Sequence, residues 1–283
     1  MDPIIHNIDP FLIRFTDGFG IRWYSIPYIV GMLLVYLSLR KAAVQKRIGN
    51  LTEEGSETFV LLAIAGALIG ARFFHVFIFE FDRYGFDPAA WIAVWRGGLA
   101  FHGGLAGILL ATWWFARKHD IPIYSLTDRI AVPVLVALGL GRIANFINAE
   151  MYGTPYDGIF CVDYSQNQYL AGLPDDCRHP TQLYESFKNF AMAGVLLAVR
   201  ERIRVPQGTL TWSFVAGYGV IRFFLMYVRE ERTVWMDLTL SQIFSGGMGL
   251  LGIAMLIWVF MKGERPETPG MEPGSGTSRR RSR

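Results

Sequence analysis

The sequence has little charge and very few cysteines. Only 18% of its 283 residues are charged, whereas 52% are hydrophobic. A soluble chain of this length would normally carry more charge, so the composition argues against a soluble globular protein. The two cysteines, without suitably spaced histidines, are too few ligands for a structural zinc site. We therefore expect neither a metal nor a diffusible cofactor.

The sequence also lacks the motifs of several enzyme classes. It contains no G-x-S-x-G elbow, no H-E-x-x-H motif and no pair of aspartates in a membrane context, which argues against an intramembrane protease. It contains no glycine-rich phosphate loop. No basic patch is interleaved with aromatic residues, so the net charge of +3 does not predict nucleic-acid binding.

Long apolar runs are what the sequence has in abundance. A run of about 20 helical residues crosses the ~30 Å hydrocarbon layer of a membrane, and only a helix satisfies its own backbone hydrogen bonds there. The sequence predicts an all-α, multi-pass membrane protein with seven transmembrane helices. The predicted spans are residues 22–40, 58–79, 97–116, 129–148, 183–200, 209–228 and 238–260.

The distribution of lysine and arginine predicts the orientation of these spans. Basic residues are concentrated after spans 1, 3, 5 and 7, which places the N-terminus outside and the C-terminus in the cytoplasm. We expect an external N-terminal arm (1–21), a membrane domain (22–262) and a disordered basic cytoplasmic tail (263–283). A small external cap (150–180) joins spans 4 and 5. The oxidising side favours a disulfide between Cys161 and Cys177, but the sequence does not decide whether it forms.

One polar stretch, "GRIANFINAEMYG" at residues 141–153, lies at the outer end of span 4. Arg142 is too deep in the span for casual solvation, and it costs several kcal/mol unless it is paired or faces a wet cavity. Arg142 and Asn145 are three residues apart and therefore share one helical face. This stretch predicts a functional site rather than a lipid-facing surface.

Other polar residues are predicted to lie at the same depth, counted at about 1.5 Å per helical residue. They are His102 between glycines in span 3, Tyr24 at the start of span 1, and Arg222 and Arg229 in span 6. Guanidinium groups donate parallel hydrogen bonds to a phosphate, and a histidine can exchange a proton near neutral pH. The residues therefore predict a pocket that binds a phospholipid phosphate from the outer leaflet. Arg229, at a span end, could equally extend to headgroups.

These stretches resemble those of a known family. "GRIANFINAEMYG" resembles the signature of bacterial prolipoprotein diacylglyceryl transferases, which is close to G-R-x-x-N-F-I-N-x-E-x-x-G. "WRGGLAFHGGLAG", "HPTQLYES" and "YGVIRFFLMYVRE" agree with the family in order. The resemblance covers nearly the whole chain, apart from the first ~20 residues, the centre of the cap and the tail.

The resemblance implies transfer of the diacylglyceryl group of phosphatidylglycerol to the lipobox cysteine of a prolipoprotein signal peptide. A thioether forms and glycerol 1-phosphate leaves. It also implies a plasma (inner) membrane enzyme whose active site faces the outer leaflet. Its partners would be these two substrates and membrane lipids, with no nucleic acid.

The resemblance assigns roles to individual residues. Arg142 would bind the phosphate with help from Asn145 and Gly153, and Arg229 would be a second arginine facing the phosphate. Three residues would form the catalytic group, and His102 is the first choice of base. In a rival assignment, Glu150 or Tyr24 takes part in the proton relay.

One departure from the family affects span 6. The family usually has a glutamate four residues after the arginine of "RF", where this chain has Met226. We therefore expect Arg222 or Arg229 to lack an acidic partner unless Glu230 or Glu231 replaces it. The alternative function is a transporter or channel for an anionic or phospholipid solute. A conduction path would need polar residues in the cytoplasmic half, where spans 3 and 5 carry few.

Overall fold

The computed structural model describes residues 3–16, 19–93 and 97–262. The predicted tail, 263–283, lies outside the described residues, so its disorder stays a prediction. The described chain is mostly helical, and its long helices follow the predicted spans closely.

The helices are numbered in chain order. They are α1 (Ser25–Val44), α2 (Glu53–Phe74), α3 (Phe81–Tyr84), α4 (Pro88–Ile92), α5 (Phe101–Lys118), α6 (Ile123–Ile147), α7 (Thr181–Arg202), α8 (Thr209–Leu225) and α9 (Leu240–Lys262). A π-helical turn, His75–Phe79, extends α2, and a 3-10 turn, Met226–Val228, extends α8.

Five of these helices are long and apolar enough to cross a membrane, so the chain is a multi-pass membrane protein. They are Ser25–Val44, Glu53–Phe79, Ile123–Ile147, Thr209–Val228 and Leu240–Lys262. Helices α5 and α7 were also predicted to be spans. Helix α5 has only 18 residues with a histidine and basic residues at its ends, and α7 carries charged side chains along its length. Seven spans and the orientation of the termini therefore stay predictions.

Close helix packing depends on glycine where α2 meets α5. A Cβ on Gly107 would lie 1.9 Å from the carbonyl oxygen of Gly66, so only glycine allows the two backbones to approach this closely. Small residues at helix contacts serve the same purpose in many membrane proteins. This packing holds α5, the helix of His102, against α2.

Short strands add to the predicted all-α fold. Strand β1 (Ile4–Ile5) pairs in parallel with β4 (Val162–Asp163), which pairs antiparallel with β5 (Cys177–Arg178). Strands β2 (Phe11–Thr16) and β3 (Phe19–Arg22) form one hairpin, and β6 (Thr233–Trp235) and β7 (Leu238–Thr239) another. These pairs are too short for hydropathy periodicity to detect, which is why they were missed.

The cap is a compact unit with a core of its own. Val162 and Tyr164 are fully buried in it. The predicted disulfide between Cys161 and Cys177 is present, with Cα atoms 5.5 Å apart. The N-terminal arm is tied to the cap by β1 and by buried His6, whose Nδ1 lies 2.9 Å from Nδ2 of Asn167. The Nε2 of His6 lies 2.7 Å from the carbonyl oxygen of Phe146, at the end of α6.

Candidate active site

Three arginines converge on one buried carboxylate where α6, α7 and α8 meet. Glu185, in the second turn of α7, is 3% exposed. Its Oε2 lies 3.0 Å from Nε of Arg142 and 2.9 Å from Nη1 of Arg222. Nη1 of Arg229 lies 3.7 Å from its Oε1. The structure therefore unites three predicted phosphate-binding arginines around an acidic residue that the sequence analysis had not singled out.

The "GRIANFINAEMYG" stretch forms a continuous polar network beside this cluster. Nη1 of Arg142 lies 3.4 Å from Oδ1 of Asn145, and Nδ2 of Asn145 donates to Oε2 of Glu150 at 3.2 Å. Asn148 contributes a longer contact of 3.5 Å to the same carboxylate. Helix α6 orients Arg142 and Asn145, whereas Glu150 lies three residues after the helix ends and is held against it by these contacts with Asn145 and Asn148.

Gly153 holds the cap against the end of α8. Its N–H donates to the carbonyl oxygen of His179 at 2.9 Å, and it forms a β-bridge with Arg229. A Cβ at this position would lie 2.4 Å from the carbonyl oxygen of Val228. Gly153 was predicted to assist phosphate binding. Since its N–H is occupied, this geometry favours a positioning role, in which it fixes the backbone of Arg229.

Arg229 is poorly compensated. Its side chain is 12% exposed, its Nε lies 3.4 Å from Oε1 of Glu231, and its Nη1 is buried without a hydrogen-bond partner. Burial lowers the pKa of Arg229, an effect opposed by the charges of Glu231 and Glu185. An arginine keeps its charge even then. The cluster thus presents a donor that still lacks an acceptor.

A second residue that the sequence analysis missed is Lys188. It is 5% exposed, its Nζ has no hydrogen-bond partner among the residues that the structure describes, and the ammonium lies 3.8 Å from the ring centroid of Tyr218. The charges of Glu185, Arg222 and Arg142 all act on it. The available signal was its place in α7, one helical turn after Glu185 and on the same face.

Met226 does not leave the arginines without acidic partners. Met226 is 2% exposed and packs inside the bundle. Glu185 pairs with Arg222, while Glu231 pairs with Arg229 as the sequence analysis had allowed. Glu230 instead pairs with Arg178 in the cap. The carboxylate of α7 therefore serves the arginine in α8.

The other two predicted catalytic residues, Tyr24 and His102, are not joined to this network by a hydrogen bond or an ion pair among the described residues. The ring of Tyr24 lies 5.6 Å from that of Tyr28, which is close enough to Glu150 to feel its charge. His102 is exposed at the start of α5, with its ring 6.4 Å from Phe74 and 6.5 Å from Phe244. Within the described residues, no hydrogen bond or ion pair connects His102 to the arginine cluster.

A separate cleft of about 420 Å³ opens beside the end of α2. Arg72, His75 and Glu80 line one side, and Gly97 and Gly98 line the other. Nη1 of Arg72 donates to the carbonyl oxygen of Gly97 at 2.6 Å, and His75 lies 3.5 Å from Glu80. Carbonyl oxygens and a carboxylate thus already engage Arg72 and His75 in this cleft, whereas the arginine cluster keeps one buried donor, Nη1 of Arg229, without a hydrogen bond among the described residues.

Residues 10–258 match the family described as prolipoprotein diacylglyceryl transferase. The chain belongs to this family. It is 33% identical over 280 residues to the phosphatidylglycerol–prolipoprotein diacylglyceryl transferase of Pseudoalteromonas atlantica, covering 95% of this chain and 92% of that protein. The enzyme of the same name from Vibrio cholerae is 35% identical over 268 residues, 91% of this chain and 93% of its own. That from Pseudomonas aeruginosa is 34% identical over 265 residues, 90% and 95% respectively.

The family match spans the whole constellation described above, from Tyr24 to Arg229. The resemblance drawn from the motifs is therefore confirmed. Neither the comparisons nor the described residues support the alternative of a transporter or channel.

Proposed function

We propose that this chain transfers the diacylglyceryl group of phosphatidylglycerol to the lipobox cysteine of a prolipoprotein signal peptide. Family membership supports the reaction class. We locate the reaction at the point where Arg142, Arg222 and Arg229 converge on Glu185, and this convergence is the main observation behind the proposal. Cations outnumber carboxylates there, so the cluster favours an added anion.

The phosphate of the lipid is that anion. Guanidinium groups form paired hydrogen bonds with phosphate oxygens, and these interactions strengthen in a poorly solvated site. Nη1 of Arg229, buried without a partner, supplies one donor. Arg142 supplies others as it shifts part of its bonding from Glu185 to the lipid. Asn145 holds Arg142 in place, and Gly153 holds Arg229.

The reaction is a displacement at the glycerol carbon that bears the phosphate. The cysteine sulfur forms a bond to this carbon while the carbon–oxygen bond to the phosphate breaks. The bonding electrons leave with glycerol 1-phosphate, whose developing charge Arg142 and Arg229 stabilise. A base takes the thiol proton, which requires modest help because a free thiol has a pKa near 8.5.

His102 is the proposed base, and Glu150 and Tyr24 form the rival relay. His102 is exposed at the start of α5 and carries no competing hydrogen bond among the described residues, so it can receive a thiol. Glu150 is oriented by Asn145 and Asn148. Its position beside Arg142 makes it the second candidate.

The proposed setting is the bacterial inner membrane, with the arginine cluster and cap at the outer leaflet. The Cys161–Cys177 disulfide supports this, since disulfides persist in oxidising compartments. The proposal includes seven spans, an external N-terminus and a cytoplasmic C-terminus.

The test is an assay in vesicles containing phosphatidylglycerol and a lipobox peptide, following glycerol phosphate release and the mass gain of the peptide together. Arg142→Ala is expected to lower the rate by about 100-fold or more. Arg40→Ala is the matched control, because this arginine, near the end of α1, forms an exposed ion pair with Glu53 at the start of α2. Wild type that releases no glycerol phosphate with a competent peptide would exclude the proposed reaction.

The same assay separates the candidate bases. His102→Ala, Glu150→Gln and Tyr24→Phe are compared at saturating lipid. The base is the residue whose replacement abolishes the rate and shifts its pH profile. If His102→Ala keeps the wild-type rate, the base is Glu150 or Tyr24.

A further inference from the structure

A second group of arginines lies at the end of the bundle opposite the cap, which we call the far end. Arg129, in the second turn of α6, is 8% exposed. It is 13 residues before Arg142 in the same helix, and therefore lies about 20 Å from it along the helix axis. Arg200, near the end of α7, and Arg47, just after α1, carry charges that repel that of Arg129.

The guanidinium of Arg129 forms no ion pair with a carboxylate among the described residues. Its Nε donates to the backbone carbonyl oxygen of Ser38 at 3.0 Å. The neighbouring Asp128 is not available, because both of its oxygens bind the start of α8. Its Oδ2 accepts from the N–H of Gly208 at 2.7 Å, and its Oδ1 accepts from the N–H of Thr211 at 2.8 Å.

Arg200 competes with Arg129 for the nearest carboxylate. Its Nε lies 3.1 Å from Oε1 of Glu201, the one acidic side chain that also acts on Arg129. The Nη1 of Arg200 is buried without a hydrogen-bond partner in the described part of the chain. A single carboxylate, half-exposed, thus acts on both Arg129 and Arg200, and Arg47 adds a third positive charge. Burying a charge without a counter-ion is costly, and such charges are normally paired.

The remaining donors of Arg129 are accessible. Its Nη1 and Nη2 have no partner in the described part of the chain, yet they are not sealed from solvent. Arg47 is exposed beside them. The tip of the Arg129 guanidinium is therefore the part of this buried residue that a ligand at the far end would meet.

We propose that Arg129, Arg200 and Arg47 form a binding site for a phosphate group at the far end. The phosphate is that of an anionic phospholipid in the leaflet facing this end, or free phosphate from the solution. It neutralises the buried charge and ties α1, α6 and α7 together. The site does not depend on the proposed diacylglyceryl transfer.

The experiment uses the full-length protein in nanodiscs of phosphatidylcholine with added phosphatidic acid, which carries the phosphate but no glycerol phosphate leaving group. Tightly bound lipid is counted by native mass spectrometry. Arg129→Gln is expected to retain one phosphatidic acid fewer than wild type. Arg142→Ala also loses one, and the double variant loses two, so that failure at the active site and failure at the far end are distinguishable.

Two further variants keep the test decisive if Arg129→Gln folds poorly. Arg47→Gln, at an exposed position, is expected to weaken the far-end lipid by about tenfold, the effect of losing one charge-assisted contact. Arg40→Gln is the matched control, since this arginine lies near the end of α1 but pairs with Glu53, and it should retain the wild-type count.

A parallel titration with inorganic phosphate identifies the source of the ligand. If phosphate raises the unfolding temperature of wild type in neutral nanodiscs but not that of Arg129→Gln, free phosphate is the ligand. If only phosphatidic acid does so, the ligand is a lipid. The proposal is overturned if Arg129→Gln and Arg47→Gln retain as much lipid as wild type and lose no stabilisation by either ligand.

Discussion

Replacing Glu185 by glutamine removes the shared counter-ion of the arginine cluster while preserving the shape of the side chain. Glu185 is 3% exposed, and two arginine nitrogens lie within 3.0 Å of its Oε2. A third lies 3.7 Å from its Oε1. Removing one partner from a buried ion pair costs about 3–5 kcal/mol, because the remaining charge is left uncompensated. We expect Glu185→Gln to lose stability of this order.

The loss can be measured by thermal unfolding in neutral nanodiscs, with the fluorescence of the eight tryptophans as the signal. It should lower the unfolding temperature by on the order of 5 °C or more. Glu231→Gln is the matched control. Its carboxylate is 24% exposed and makes one contact of 3.4 Å with Arg229, so its loss should cost about 1 kcal/mol or less.

Added phosphate then distinguishes a ligand site from a purely structural ion cluster. In wild type the carboxylate competes with phosphate for Arg142 and Arg222, whereas in Glu185→Gln these donors are released. Phosphate should therefore stabilise the variant by about 2.7 kcal/mol at a concentration 100 times the Kd of the variant for phosphate. Wild type should be stabilised less at the same concentration. The reasoning is refuted if Glu185→Gln is as stable as wild type, or if phosphate stabilises both proteins equally.

Three further expectations concern the cap. Gly153→Ala should cost about 1–3 kcal/mol by forcing the cap away from α8, whereas Gly194→Ala, where a Cβ meets nothing within 4 Å, should cost nothing measurable in the same unfolding assay. Changing Cys161 and Cys177 to serine should cost about 3 kcal/mol, as expected for a disulfide with a sequence separation of 16, and reductant should then have no additional effect. Burial lowers the pKa of His6, so as the pH falls the histidine is protonated in the unfolded chain before it is protonated in the folded one. The free energy of unfolding should therefore decrease as the pH drops below about 6.5. His6→Gln should remove this pH dependence, and an unchanged dependence would show that His6 is not its cause.

Hydropathy was sufficient to locate the long helices because each of them contains an apolar run of about the length that crosses a membrane. Helix α9, for example, was predicted at residues 238–260 and runs from Leu240 to Lys262. The motif at residues 141–153 likewise predicted a network of neighbours, since Arg142 and Asn145 share a face of one helix. The short strands that join the arm to the cap escaped, because two-residue pairings leave no periodic pattern.

The partner of the arginines could not be read from the sequence. Glu185 is 37 residues from Arg222 and 43 from Arg142, and no local rule connects them. The sequence analysis looked for a partner near Arg222 in the chain, at Met226, Glu230 or Glu231, because local spacing is all that a single sequence offers. The partner, Glu185, came instead from the neighbouring helix α7.

The sequence by itself predicted the long helices, identified the family that the motifs resemble and showed which cysteines could pair. Only the tertiary structure decided that Glu185 binds three arginines, that Lys188 is buried beside them, and that Arg129 forms no ion pair among the described residues. The physical reason is that hydropathy and helical rise fix position along the helix axis. The direction in which each side chain points depends on how the helices pack, and this is settled by contacts between residues far apart in the chain.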